Sequence, residues 1–277
     1  MGERVVVVTG ASSGIGRVVA SRLADDGDTV AIVGRNAERT RAVAAQTGGR
    51  AFIADFDRLD DVRRLAAELQ DAYDHVDVLM NNAGGLVGTR SLTADGHERT
   101  LQSNHLAPYL LTRLLQPALE RGTDARVVST ASVANRFGRV DLDDLEYERR
   151  PWRKGWTAYG QVKLATILFI KELARRWAPL GIDAFSVHPG AVATGFGTDS
   201  GLIRFANIVT RGHYGLTPEA GAVPLYALAS SAPVPAASGA YFDRLRANGA
   251  TALQATDQDL QAALWARTAE MVGLDPE

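Results

Sequence analysis

The chain has 277 residues, 46% of them apolar, with a formal net charge of -2 and no cysteine. That balance gives nucleic acid no electrostatic footing, and it excludes a disulfide framework, a thiolate metal site and a thiol nucleophile. The length fits one α/β domain better than two.

Arg4 to Thr9 is a β-branched run stopped by Gly10, as expected of a strand buried on both faces. A helix is expected over Ile15 to Asp26, a strand over Thr29 to Val33 and a helix over Ala37 to Gln46. Next come a strand at Arg50 to Ala54, a helix at Leu59 to Tyr73 and a strand at Val76 to Met80. One long helix is expected from Gly96 to Glu120, then a strand from Arg126 to Thr130. A helix opening near Tyr159 runs to Trp177, where Pro179 and Gly181 stop it. A strand at Ile182 to Val187 follows, then a helix opened by Pro218 behind Thr217. Gly239 to Phe242 reads as a last short strand and Asp257 to Met271 as a closing helix. This alternation predicts a doubly wound parallel sheet with helices on both faces, a single three-layer Rossmann-type domain over 1–277. Two segments look irregular, about 136–156 and 195–215, and both are expected to serve as substrate loops. The most apolar helical stretch, Leu164 to Ile170, is too short to span a bilayer. The N-terminus lacks a signal-peptide layout, so a cytoplasmic protein is expected.

Ligands of such sheets bind outside the carboxyl ends of the strands. After the first strand stands Gly10-Ala11-Ser12-Ser13-Gly14-Ile15-Gly16. Glycines there allow a tight turn and a close approach to a diphosphate, whose charge the N–H groups of the next helix receive. Further on, Tyr159 and Lys163 are four apart, so they share one helical face. A free tyrosine titrates near about 10. A neighbouring cation favours the phenolate, which makes Tyr159 a candidate to move a proton on and off an alcohol oxygen. Taken alone, such a pair is also an ordinary helix surface.

The G-x-x-x-G-x-G spacing combined with Tyr159-x-x-x-Lys163 resembles the short-chain dehydrogenase/reductase family, over about residues 4 to 243. Asn81-Asn82-Ala83-Gly84, Ser132, Asn104 and Pro189-Gly190-Ala191-Val192-Ala193-Thr194 follow in the family's order. Thr93-Ala94-Asp95-Gly96, Asn104-His105-Leu106 and Ser186-Val187-His188-Pro189-Gly190 resemble its retinol-dehydrogenase-like branch, which indicates architecture rather than substrate. The resemblance implies an oxidoreductase that interconverts a carbonyl (ketone or aldehyde) and an alcohol by hydride transfer. In it Tyr159 is the acid/base, Lys163 lowers its pKa and holds the nicotinamide ribose, Ser132 holds the substrate oxygen and Asn104 holds a water in a relay to Lys163. It further implies cofactor contacts at Gly10, Ser12, Ser13, Gly14, Ile15, Gly16, Asp55, Phe56, Asn82, Ala83, Gly84, Pro189, Gly190, Val192 and Thr194. A substrate lid is implied around Leu202, Ile203, Phe205 and Ile208, a stripe that reads equally as a short packed helix, and a homodimer or homotetramer is common in the family.

NADP(H) is expected over NAD(H). An NAD site places a carboxylate at the end of the second strand; here that position is Gly34, uncharged and with room for a phosphate, followed by Arg35 and Asn36. Arg35 can meet a 2′-phosphate with two parallel bonds. The histidines have no metal spacing, so no metal is expected, and Asp141, Asp143 and Asp144 read as a solvated loop. The substrate is expected to be an apolar small-molecule carbonyl or alcohol. The alternative is a silent dinucleotide sensor or scaffold of the same fold, although such proteins typically lose the tyrosine or lysine that this chain keeps.

Overall fold

The structure is a computed structural model and describes residues 4–192, 215–230 and 233–276. An eight-stranded sheet runs through it in the order β3-β2-β1-β4-β5-β6-β7-β8. Its strands are β1 (Val5–Thr9), β2 (Thr29–Gly34), β3 (Arg50–Ile53), β4 (Val78–Asn81), β5 (Arg126–Thr130), β6 (Asp183–His188), β7 (Tyr241–Asp243) and β8 (Arg246–Ala247). Seven strands are parallel neighbours, with Val7 level with Ala31 on one side and Leu79 on the other. The eighth runs antiparallel to β7 and departs from the all-parallel expectation: it is the return of a tight hairpin, two residues long.

The continuous apolar run of β1 is explained by cover on both faces. Val7 belongs to one core cluster and Val6 and Val8 to the other. Alternate side chains of a strand point to opposite faces, so a strand roofed on both sides needs apolar residues throughout. On the side of Val6 and Val8 pack α1 (Gly14–Asp25), α2 (Ala37–Thr47) and α8 (Pro218–Ser230). Opposite lie α3 (Leu59–Ala72), the segment ending in α5 (Ala107–Leu114) and α6 (Gln116–Glu120), then α7 (Trp156–Trp177) and α9 (Gln258–Met271).

The long helix expected from Gly96 to Glu120 is broken. It starts as α4 (Arg99–Leu101), widens into a π-helical turn over Gln102–Leu106, resumes as α5 and restarts as α6. Glu98, almost fully buried, caps its start by accepting from the N–H groups of Thr100 and Leu101, each at 2.8 Å. Pro108 explains much of the break: it has no N–H to give the carbonyl of Asn104, four residues back. Among the described residues, no helix is long and apolar enough to cross a membrane.

Candidate active site

The loop after β1 is built to receive an anion. Gly10 has φ +68, and a Cβ there would stand 2.9 Å from the Cα of Ala83, so only glycine fits. Ser13 is the N-cap of α1 but makes no side-chain cap, and the first turn carries no acidic residue. The first N–H groups of a helix have no partner inside it, so those of Gly14, Ile15 and Gly16 are offered with the positive end of the helix dipole. Ser12 is half-buried and Ser13 exposed. These features fit a dinucleotide diphosphate.

Thr9 ties this loop to the next. Its hydroxyl accepts from the N–H groups of Asn82 and Ala83, both at 3.0 Å, and donates to the carbonyl of Met80 at 3.1 Å. The Asn82 amide donates to the Thr9 carbonyl at 2.9 Å. The sequence shows Thr9 only as the end of the first strand. The signal for a role was a hydroxyl at the end of an otherwise aliphatic strand.

Gly84 lies against the π-helical turn, where a Cβ would stand 2.5 Å from Asn104 Oδ1 and 3.6 Å from Lys163 Nζ. The Asn104 amide donates to the carbonyls of Gly85 and Thr100, each at 3.0 Å, and accepts from the Gly85 N–H at 3.0 Å. The side chain thus fixes the strand-end loop, a task the sequence did not indicate. Beside it lies a polar cavity lined by Asn81, Asn104, His105, Ser129, Thr130 and Lys163. Asn81 Oδ1 is buried there with no hydrogen-bond partner.

Ser132, Tyr159 and Lys163 come together at the ends of β5 and α7. Ser132 caps a short 3₁₀ turn, Val133–Phe137, by accepting from the Ala134 N–H at 3.2 Å, and also shares a hydrogen bond with Tyr159. A hydroxyl has one donor and two acceptor sites, so it serves both partners. Lys163 donates to the Thr130 carbonyl at 2.9 Å, and its Nζ lies 5.5 Å from the centre of the Tyr159 ring. The electrostatics differ from the expectation that Lys163 would lower the tyrosine. Burial, the larger effect, pushes the Tyr159 phenol well above its ordinary value, and the Ser132 hydrogen bond opposes it. Burial also lowers Lys163, to about 8. Desolvation penalises both charged forms.

The remaining positions distribute as follows. Pro189 is buried and Gly190 half-buried. Val192 lies against Gly221 of α8, where Ile15 also converges, so the loops after β1 and β6 adjoin. Thr194 and the expected lid residues lie outside the described residues. Phe56 is 8% exposed and packs in the core, leaving only backbone for a ligand. Asp55 accepts from the Asp57 N–H at 3.1 Å. Asn36 is the N-cap of α2, accepting from the Arg39 N–H at 2.9 Å. Gly34 does not leave the room expected of it: a Cβ would stand 2.5 Å from Thr40 Oγ1 and 3.0 Å from Ser12 Cβ. A carboxylate side chain is therefore excluded by packing as well as absent. Arg35 is 65% exposed, with its guanidinium 3.9 Å from Asp55 and 3.8 Å from Asp57.

The acidic cluster is not simply solvated. Asp144 is buried and paired with Arg150 at 2.8 Å, which holds its carboxyl below the usual range against the opposing cost of burial. Among the described residues no group of three or more His, Asp or Glu could hold a metal.

The family model described as short chain dehydrogenase matches residues 4–144. The chain belongs to that family. It is an oxidoreductase of carbonyl and alcohol substrates with the family's Rossmann-type fold. This short-chain dehydrogenase is 40% identical to a Streptomyces sp. (strain C5) protein named "Putative daunorubicin C-13 ketoreductase DnrU", over 98% of this chain and 93% of that one. It is 34% identical to human retinol dehydrogenase 13, over 98% of this chain and 85% of the relative. A short chain dehydrogenase of Burkholderia cenocepacia J2315, solved in complex with NADP, superposes with a TM-score of 0.68 at 29% identity. That match covers 89% of this chain and 98% of the other.

Proposed function

We propose that this short-chain dehydrogenase is an NADP(H)-dependent carbonyl reductase in which Tyr159 gives the proton to the developing alkoxide. The observation that carries the reading is the buried convergence of Ser132, Tyr159 and Lys163 beside the two strand-end loops. The cofactor supplies the hydride. Ser132 holds the carbonyl oxygen within reach of the phenol, and each hydrogen bond strengthens as negative charge builds on that oxygen. Burial keeps Tyr159 protonated at neutral pH, the form that acts as the acid in reduction. Lys163 holds the ribose and restores the proton to Tyr159. Pro108 has no N–H to give the Asn104 carbonyl, and the polar cavity lined by Asn104 and Lys163 offers a place for a water beside Lys163. The uncapped start of α1 takes the diphosphate and Arg35 takes the 2′-phosphate. The relatives' names, a ketoreductase and a retinol dehydrogenase, agree with a carbonyl substrate of apolar character.

The pH profile of kcat/KM for reduction tests this, since it reports free-enzyme groups. Lys163 titrates at about 8 in the folded chain. Its ammonium is the form that holds the ribose, so kcat/KM should fall as pH rises through that value. Tyr159 remains a phenol throughout the window. A profile flat to well above that pH would remove the Lys163 ammonium from the reaction.

A further inference from the structure

The insertion between β5 and α7 is held at four borders. Toward the loop after β4, Trp152 Nε1 donates to the Gly88 carbonyl at 2.9 Å and Arg90 Nε to the Glu146 carbonyl at 3.2 Å. Toward α4, Glu146 accepts from His97 Nδ1 at 2.8 Å and from the Glu98 N–H at 2.6 Å. Toward the chain's end, Gln254 exchanges two hydrogen bonds with the backbone of Val140, both at 3.0 Å. The fourth border is α7 itself: the Thr157 hydroxyl lies 3.1 Å from the Pro151 carbonyl and 3.2 Å from that of Trp152, and one turn on Gln161 meets the insertion through Arg150 and Leu145.

Arg150 makes the charged part of that join. Its Nε donates to Asp144 Oδ2 at 2.8 Å, and one terminal nitrogen donates to the Arg139 carbonyl at 3.0 Å. The other donates to the Asp144 carbonyl and to Gln161 Oε1, each at 2.5 Å. The guanidinium stacks over Tyr147 at 4.1 Å. Gln161 is 1% exposed and returns a bond from Nε2 to the Leu145 carbonyl at 2.8 Å. Gln161 stands between Tyr159 and Lys163 in sequence, and a helix advances about 100° per residue, so it faces away from both. Trp156, one turn before Tyr159, shares the tyrosine's face and meets its ring edge-on at 6.3 Å and 88°.

We propose that Arg150 is a specificity-determining positioning residue: by joining Asp144 to Gln161 it fixes the insertion on the back of α7 and so sets Trp156 as one wall of the substrate site. The proposal rests on Tyr159 being the reacting group. The wall is a rigid indole edge beside the phenol, suited to a broad planar carbonyl compound that covers it. A small aldehyde reaches Tyr159 without using the wall. Arg suits the place because its planar fork reaches four acceptors from three separate nitrogens while stacking over Tyr147, whereas an ammonium has three donors on one nitrogen.

The experiment compares NADPH-dependent reduction of phenanthrenequinone and of benzaldehyde by the wild type, Arg150→Met and Gln161→Met. Gln161→Met cuts only the ties that Gln161 makes and leaves the Asp144–Arg150 pair, which serves where Arg150→Met fails to fold. The expected result is a KM for phenanthrenequinone raised roughly tenfold in either variant, with benzaldehyde kinetics and NADPH affinity nearly unchanged. The double variant should lose no more than the worse single one, because both cut one connection. Trypsin should also cleave faster after Arg153 and Lys154 in the variants. Unchanged substrate ratios, an equal loss on both carbonyls, or a wild type that handles the two alike would overturn the proposal. Loss of turnover in Tyr159→Phe is independent of this outcome, so the failure of one reading is separable from the failure of the other.

Discussion

Tyr159→Phe should lower kcat for carbonyl reduction by at least roughly 10²-fold while NADPH still binds, the scale expected when a general acid is removed. The ring is 6% exposed and packs edge-on against Trp156, so phenylalanine keeps the shape of the site. What is lost is one hydroxyl, which shares a hydrogen bond with Ser132. The Ser132 hydroxyl keeps its cap to the Ala134 N–H in the variant, so the turn that carries it stays in place. Fluorescence quenching of the variant by NADPH, beside its turnover, separates the two effects. Normal turnover would take Tyr159 out of the mechanism, whereas loss of both binding and turnover would point to a folding defect.

Arg35→Ala should erase most of a preference for NADP(H) over NAD(H) of at least roughly tenfold in kcat/KM, about 1.4 kcal/mol. The wild-type site combines a cation at the end of β2 with a packed Gly34 that admits no carboxylate. Asp55 and Asp57 stand near the guanidinium at distances beyond direct hydrogen bonding. Asp57 is itself taken by Arg99 at 2.7 Å. Arg35 is therefore held near the strand end yet keeps its donors for a phosphate. Because Arg35 is exposed and flanked by acids, solvent and those carboxylates temper the gain. KM for NADPH should rise and KM for NADH should barely move. Equal use of both cofactors by the wild type, or an indifferent variant, would sink this assignment and leave Tyr159 untouched.

Much of the architecture was legible because periodicity reports cover. The valine run of β1 could only be a strand roofed on both faces, and Gly10 could only be a turn. The break at Asn104 was written in Pro108, but apolar residues continue on both sides and mask a single missing N–H. The two residues of β8 carry no alternation to detect. The candidate site was legible as a set of residue types in order, not as a set of contacts. Nothing in the sequence shows that Asn104 is engaged by Gly85, or that Thr9 joins two loops, since both depend on partners far along the chain. The sign of the Tyr159 shift was missed for a related reason. Spacing places a cation beside a phenol, but only packing shows how little water remains around either. Asp144 similarly looked solvated, because the arginine six residues on that pairs with it and lets it be buried gives no sign of doing so in the sequence.

In the proposed reaction one site carries a hydride to a carbonyl carbon while Tyr159 protonates its oxygen. The decisive measurement uses NADPH deuterated at its hydride-donating carbon, with benzaldehyde as acceptor and mass analysis of the benzyl alcohol formed. The account predicts deuterium on the carbinol carbon in wild-type product, no deuterium in the hydroxyl, and almost no labelled alcohol with Tyr159→Phe. Label released to water, or NADPH bound by the wild type with no alcohol formed from any carbonyl of a broad panel, would contradict it.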